Sequence, residues 1–332
     1  MPSKSKKLHL LTLAAGLALV FSNASLRVAS AQTGEDDDEA GARQIKITDF
    51  TKERDKPSWN VDEKRAPRKA APRRVYKRVA VRRAPRPAVA QTRRPARAAK
   101  PEYAEIGVTI WRLRKATASD DGPKLQDAGG DNWWIPERIE GTTPLNVGDR
   151  IRLSIESPRT GYLYVINTTQ YAGNTYSQPK LIFPVSRTRG GDNRVMAGRL
   201  IDLPDVSDDT NYYTLTANQK AGEPRQIGEV LTVLVSKEPI AELSNKTRSA
   251  IALQPEQVAR WEKQWGGQVE FELDGGAGLA WTKEEQDASA GGRGLTQEDA
   301  TPQTIYSVPS RPGGPLLVKV QLLYNQSGTA KK

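Results

Sequence analysis

A single basic segment most constrains the fold of this chain. Between Lys64 and Lys100 the sequence has 15 Lys and Arg residues, five prolines and no Asp or Glu. Like charges repel one another, proline interrupts regular structure, and the scattered Ala and Val side chains cannot supply a core. We therefore expect residues 64–101 to be an extended, disordered linker, with the folded domain after it.

The linker accounts for the basic character of the whole chain. The formal net charge is +11, whereas residues 102–332 contain 26 basic and 29 acidic residues. The linker could therefore contact an anionic polymer or membrane surface, or it could be a solvated spacer. Nucleic acid is a poorer partner, since only Tyr76 could stack on a base. The candidate polyanion contacts are Arg73, Arg74, Lys77, Arg78, Arg82, Arg83, Arg93 and Arg94.

The N-terminus has the pattern of a bacterial export signal. Three lysines precede an apolar stretch at residues 8–21, and Ala29-Ser30-Ala31 offers a small-x-small cleavage site. As a helix the stretch would span about 21 Å, less than a hydrocarbon core of about 30 Å. We predict a signal peptide over 1–31, with an uncleaved anchor as the alternative, and a disordered acidic or mixed segment over 32–63. The expected location is the periplasm, the cell surface or the medium.

The lack of cysteine and the position of histidine exclude several kinds of chemistry. The chain has no Cys, and its one His is His9, inside the predicted signal peptide. A mature protein could build neither a His-dependent nucleophile system nor a zinc site with His or Cys ligands. Paired carboxylates, a Ser–Lys pair and oxygen-ligand cation sites would remain. We expect no cofactor.

Short alternating segments after residue 102 predict a mainly β domain. The apolar residues Ile151, Leu153 and Ile155 alternate with polar residues, and this alternation indicates a half-buried strand. Turn-forming residues separate the runs. We predict a β-sandwich-like or partial-barrel antiparallel domain over 102–332, with a split near residue 240 as the alternative. The other predicted strands lie near 106–110, 162–166, 181–183, 212–216, 230–235 and 316–324.

The sequence predicts one short helix in this domain. Pro255 lies where the first turn would begin, and Gly266-Gly267 would end the helix. Val258, Trp261 and Trp265 would share one face, which we expect to pack on a sheet edge.

Several motifs resemble the bacterial domain of unknown function numbered 4384. They occur in order over residues 142–236, with similar flanks on both sides. The resemblance implies an exported, β-rich module with no assigned activity and no known catalytic residues. The motifs are Val147-Gly148-Asp149-Arg150, Gly161-Tyr162-Leu163-Tyr164-Val165, Ile182-Phe183-Pro184, Asp192-Asn193-Arg194, Ala197-Gly198 and Leu203-Pro204.

Two groups of residues are candidates for contact with a ligand or partner. Trp133 and Trp134 would point to opposite faces of a strand, so one of them could be an exposed sugar-stacking or protein-contact platform. The alternative is that both pack a loop onto the sheet. Arg187, Arg189 and Arg194 surround Gly190-Gly191 and could bind an anion together with backbone amides.

Two acidic groups are weaker candidates. Asp205, Asp208 and Asp209 could hold Ca²⁺, although a solvated turn is the simpler interpretation. Glu270 and Glu272, with Asp274, alternate along a strand and could serve a glycoside hydrolase.

These observations favour an exported, non-catalytic binding or scaffold module of the bacterial cell envelope. Its β domain would contact a protein or glycan, and its linker would contact anionic envelope polymers or membrane. The alternatives are a glycan hydrolase that uses carboxylates and a subunit of a secreted complex that pairs an open sheet edge with a partner strand.

Overall fold

The computed structural model describes most of the predicted folded region and one short segment before the linker. The predicted signal peptide, the linker with its eight candidate contacts, and Asp274 lie outside the described residues. Residues 45–332 form one compact unit. The described residues are 47–52, 54, 102–127, 130–217, 224–244, 247–273, 275–289 and 293–325.

Within these ranges the chain forms many strands and few helices, as the alternating segments predicted. The helices are α1 (Ile47–Lys52), α2 (Pro255–Trp265) and α3 (Lys283–Ser289). The strands are β1 (Glu102–Lys115), β2 (Leu125–Gln126), β3 (Trp133–Ile139), β4 (Arg150–Glu156), β5 (Gly161–Tyr171), β6 (Thr175–Tyr176), β7 (Lys180–Phe183), β8 (Arg194–Val195), β9 (Leu200–Leu203), β10 (Tyr213–Thr214), β11 (Gln226–Ser236), β12 (Ile251–Ala252), β13 (Val269–Glu272), β14 (Thr304–Ser310) and β15 (Leu316–Leu323).

The strands form two open antiparallel sheets. The first has the order β10-β4-β1-β14-β13, with β9 paired to β4, and β3 paired to β1 and β2. The second has the order β12-β7-β5-β11-β15, with β6 and β8 paired to β5. Each order is open-ended, so neither sheet closes into a barrel. The predicted antiparallel, mainly β fold with few helices is confirmed.

The main core lies between the two sheets. Ile106 and Leu153 of the first sheet and Val165, Val233 and Val318 of the second belong to one buried apolar cluster. Burial of such side chains is the main favourable contribution to folding. Strand β15 is the last strand of the second sheet, and it pairs with β11 along its whole length, from Leu316 to Leu323. The C-terminal strand therefore returns to the sheet that β5 and β11 form.

The predicted helix is confirmed as α2, but its position differs from the expectation. Val258 and Trp261 are buried against Tyr164, Leu234 and Leu317, which belong to the second sheet. These three come from the strands β5, β11 and β15, so the helix covers a sheet face rather than an edge. The helices α1 and α3 were not predicted.

The outer face of the first sheet is also buried, although β4 was expected to be only half buried. Arg152, Ser154 and Glu156 alternate with the core residues of β4, yet none of the three is more than 2% exposed. Residues from the C-terminal third of the chain cover them. Trp281 belongs to a small apolar cluster on this face, and Glu285 of α3 pairs with the buried Arg138.

A second correction concerns residues 32–63. Within this range, which was expected to be disordered, α1 and Arg54 pack against the β domain. Phe50 is 3% exposed and Arg54 is 5% exposed. The side chain of Arg54 forms an ion pair with Glu156 of β4.

Candidate functional site

Trp133 and Trp134 point to opposite faces of β3, as their adjacent positions predicted. The Trp133 side chain is 47% exposed. Trp134 packs against Arg150, whose guanidinium carbon lies 4.0 Å from the centre of the Trp134 ring and 4.4 Å from that of Tyr212. Such cation–π contacts hold the Trp134 ring in place. Only Trp133 is therefore available to a ligand, and Trp134 has a packing role.

Trp133 lies at an open groove of about 550 Å³. The end of β1, the segment before β2, and the turn before β3 form its walls. Among the described residues, neither Lys115 nor Lys124 forms an ion pair across this groove. Its lining residues are Lys115, Ala116, Thr117, Lys124, Asp131, Asn132 and Trp133.

Hydrogen bonds hold the walls of the groove. The Ala116 amide donates to the Trp133 carbonyl oxygen at 2.9 Å, which ties β1 to β3. The Asn132 side chain donates to the Asp127 carboxylate at 2.9 Å. This hydrogen bond lowers the pKa of Asp127 below its ordinary value.

A second network fixes the wall formed by β1. The Arg114 guanidinium donates to Asp120 and Glu137, and Asp120 also accepts the Thr117 amide at 2.7 Å. The hydrogen bond from Arg114 holds the pKa of Asp120 well below its usual range. The groove thus combines one exposed indole, two ammonium groups and the exposed carboxylate of Asp131 on a hydrogen-bonded frame.

The second candidate group, around Gly190-Gly191, is less suited to an anion. Arg189, Gly190 and Gly191 all have positive φ angles, which gives the loop a concave backbone. However, the Arg189 amide donates to the Asp208 carboxylate at 2.7 Å, so a side chain of the protein already holds that donor. The side chains of Arg187 and Arg194 are exposed.

The aspartates at 205–209 stabilise a turn. Asp208 accepts the Asp205 amide at 2.8 Å, and Asp205 accepts the amide of Ser207 at 2.9 Å. Asp209 is exposed and lies 3.9 Å from Arg248. Burial raises the pKa of Asp208. No group of three or more His, Cys, Asp or Glu side chains in the described part of the chain is arranged to hold a metal ion.

Glu270 and Glu272 lie on one face of the edge strand β13, as predicted. Glu272 accepts the Gly141 amide at 2.6 Å. Partial burial and the neighbouring Glu272 raise the pKa of Glu270, and Tyr306 of β14 forms a hydrogen bond with it. The carboxyl groups of Glu270 and Glu272 thus lie in different environments, which is what the general acid and the general base of a glycoside hydrolase require.

The sequence analysis missed a layer of buried charge on the outer face of the first sheet. Arg152 donates to Asp202 at 3.0 Å, and Ser154 donates to the other oxygen of Asp202 at 2.5 Å. Arg138 pairs with Glu285 nearby. The regular alternation of polar residues along β4 could have indicated this layer. It was missed because the residues that pair with them lie far away in the sequence.

A buried carboxyl group in the main core was also missed. Glu229 of β11 is 4% exposed and accepts hydrogen bonds from Gln226 at 2.7 Å and from Thr169 and Tyr324 at 3.3 Å. Its second oxygen, Oε2, is buried and has no hydrogen-bond partner within the described ranges. Burial raises the pKa of this group.

No family model, curated protein or solved structure matches the chain. None of the helices in the described ranges is long and apolar enough to cross a membrane.

Proposed function

We propose that this chain is an exported, non-catalytic binding module of the bacterial cell envelope, and that the Trp133 groove of its β domain binds an acidic glycan. The pattern of the N-terminus supports export. The resemblance of residues 142–236 to the domain of unknown function numbered 4384 supports a bacterial module of this kind.

The observation that carries this proposal is the exposed Trp133, which lines one groove with Lys115 and Lys124, two lysines that form no ion pair within the described part of the chain. An indole face stacks on the apolar face of a sugar ring, and it loses little conformational freedom because Trp has only two rotatable side-chain bonds. The ammonium groups of Lys115 and Lys124 supply charge for carboxylate or phosphate substituents. The hydrogen-bonded walls favour binding because few groups must be ordered when the ligand arrives.

The linker has a separate role in this proposal. Its 15 basic residues would attract anionic polymers or lipid headgroups near the envelope, with an attraction that weakens as salt is added. The stacking contact at Trp133 is less sensitive to salt. The two contributions can therefore be separated by experiment.

Co-sedimentation of the purified chain with isolated bacterial envelopes tests the proposal. The variants are Trp133→Ala, the double variant Lys115→Ser/Lys124→Ser, and Tyr176→Ala as a matched control, since Tyr176 is 52% exposed on the other sheet. We expect Trp133→Ala to weaken binding at least about tenfold, as removal of an aromatic hot-spot residue does. The control should bind like the wild type.

A variant in which Ser replaces the eight candidate linker residues measures how much the linker contributes to envelope binding. We expect it to retain the binding that depends on Trp133 and to lose most of the salt dependence. Wild-type affinity in Trp133→Ala would contradict the role of the groove. A wild-type chain that stays in the supernatant at low salt would contradict envelope binding altogether.

A glycan hydrolase that uses Glu270 and Glu272 is the second candidate. The raised pKa of Glu270 beside Glu272 is the observation that favours it. Turnover of a broad glycan panel that disappears in Glu270→Gln and persists in Trp133→Ala would favour the hydrolase over the binding module.

A further inference from the structure

A short segment from before the linker occupies a site on the β domain. Helix α1 places Phe50 beside Gly107 of β1, and a Cβ atom at Gly107 would lie 3.1 Å from the Phe50 ring and 2.5 Å from Pro302. The absence of a side chain at residue 107 therefore allows Phe50 and Pro302 to approach the strand. Phe50 becomes almost fully buried in this position.

The guanidinium group of Arg54 is completely coordinated in this site. Nε and Nη2 donate to the two carboxylate oxygens of Glu156 at 2.8 and 2.7 Å. Nη1 donates to the carbonyl oxygens of Thr296 and Asp299, both at 2.9 Å, and Nη2 donates to that of Ala300 at 3.2 Å. A guanidinium group has five N–H donors, and all five are used here. Lysine, with three donors on one nitrogen, could not replace it.

The β domain builds this site with its own residues. Glu156 belongs to β4, the strand next to β1 in the first sheet. The carbonyl oxygens belong to a turn in which Asp299 accepts the Thr296 amide at 2.6 Å and the Arg293 guanidinium at 2.7 Å. The hydrogen bond from Arg293 lowers the pKa of Asp299 to about 2, so this carboxylate is ionised at neutral pH. Contacts that do not involve Arg54 thus hold the turn that carries the carbonyl acceptors, and β4 places Glu156 beside it.

We propose that the outer face of the first sheet carries a binding site for an arginine-containing peptide segment, and that α1 and Arg54 of the same chain occupy it as an intramolecular ligand. Only 47 residues, 55–101, separate Arg54 from the first residue of β1. A connection of this length gives a segment an effective concentration in about the millimolar range at its site. The inference is independent of the glycan groove.

Cleavage of the linker tests whether the segment is held without a covalent connection. A site-specific protease sequence is inserted between Ala84 and Pro85 of the full chain, and the N-terminal fragment carries an affinity tag. After cleavage we expect the wild-type fragment to retain the β domain on the affinity resin. The Arg54→Ala and Arg54→Lys variants should release it. Arg194→Ala, which removes one charge at an exposed position of the second sheet, should retain it. Release of the wild-type domain would overturn the proposal.

A second experiment tests whether the site binds an added peptide when the chain's own arginine no longer fills it. A fluorescent peptide of residues 45–56 is added to the intact Arg54→Ala chain, whose folding is checked by circular dichroism. We expect the peptide to bind this variant, and to bind at least about 30-fold more weakly when its own arginine is replaced by alanine, since a buried ion pair is then broken. The intact wild type should not bind it, because its own segment fills the site.

Two results would contradict the proposal. Equal binding of the peptide to the wild type and to Arg54→Ala would mean that the segment does not occupy the site. A wild-type dimer that dissociates on Arg54→Ala substitution, measured by light scattering, would mean that the segment binds to a second copy instead.

Discussion

Arg152 of β4 and Asp202 of β9 form an ion pair of 3.0 Å inside the protein, with side chains only 1% and 2% exposed. Ser154 donates to the same carboxylate, and Arg152 also donates to the carbonyl oxygen of Asn211 at 2.5 Å. The guanidinium carbon of Arg152 lies 5.6 Å from the centre of the Trp281 ring. Trp281, from the C-terminal third of the chain, thus lies over a buried ion pair on the first sheet.

The first prediction concerns this pair. Arg152→Met leaves the Asp202 carboxylate buried without its positive partner, so we expect the free energy of unfolding to fall by about 3–5 kcal/mol. In the double variant Arg152→Met/Asp202→Asn no charge is left unpaired, and the loss should be smaller. Urea unfolding of the wild type, the single variants Arg152→Met and Asp202→Asn, and the double variant forms a double-mutant cycle. Equal losses in the single and double variants would contradict the coupling.

The second prediction concerns pH and Glu229. Burial raises the pKa of this group above its ordinary value of 4.5, so the folded protein retains a proton that the unfolded chain has lost. The free energy of unfolding should therefore fall as the pH rises from about 4.5 through the pKa of the folded state, by about 1.4 kcal/mol for each unit of the shift.

Glu229→Gln should remove this decrease. The glutamine keeps an acceptor for Gln226, Thr169 and Tyr324, and its amide can donate to Asn167, whose Oδ1 is buried without a partner. We expect the variant to be more stable than the wild type at pH 7 and to differ little from it near pH 4. Urea unfolding across this range measures the difference. A constant difference at all pH values would contradict titration of Glu229 as the cause.

The third prediction separates the two adjacent tryptophans. Trp134→Ala removes a ring packed against Arg150, so we expect a loss of about 3 kcal/mol or more in the free energy of unfolding. Trp133→Ala changes an exposed side chain, and its effect should stay within about 0.5 kcal/mol. Thermal and urea unfolding check both values. A large loss in Trp133→Ala would mean that this ring supports the fold.

The fourth prediction concerns Gly161, the first residue of β5. A Cβ atom here would lie 2.2 Å from the carbonyl oxygen of Ser236, which is backbone and cannot rotate away. We expect Gly161→Ala to cost about 1–3 kcal/mol through displacement of the strands. Gly122→Ala is the matched control, because the nearest atom to its Cβ position is 4.0 Å away. A similar effect of both substitutions on urea unfolding would refute the steric argument.

Local patterns predicted much of the fold. The alternation in β4 identified a strand and its core-facing residues, and Pro255 with Gly266 marked the ends of α2. Strand β14 was missed, because Pro309 and its polar neighbours give only a weak strand pattern. The candidate site was predicted in part: the adjacent positions of Trp133 and Trp134 indicated opposite faces, but only the packing of Arg150 showed which ring remains exposed. Lys115 and Lys124 could not be predicted as part of the site, because the sequence around them does not indicate that the fold brings them to one groove.

The sequence by itself determined the fold class, the position of a basic segment before the β domain, and the core-facing side chains of strands with a clear alternation, such as β4. These properties depend on neighbouring residues, whose spacing along a strand is set by backbone geometry. The tertiary structure alone decided whether the polar face of β4 meets water. That face is buried because both charged residues of β4 find a partner of opposite charge. Asp202 pairs with Arg152 from 50 residues away, and Arg54 pairs with Glu156 from 102 residues away. Burial of a charge is tolerated only where such a partner is present, and no local pattern identifies partners so far apart.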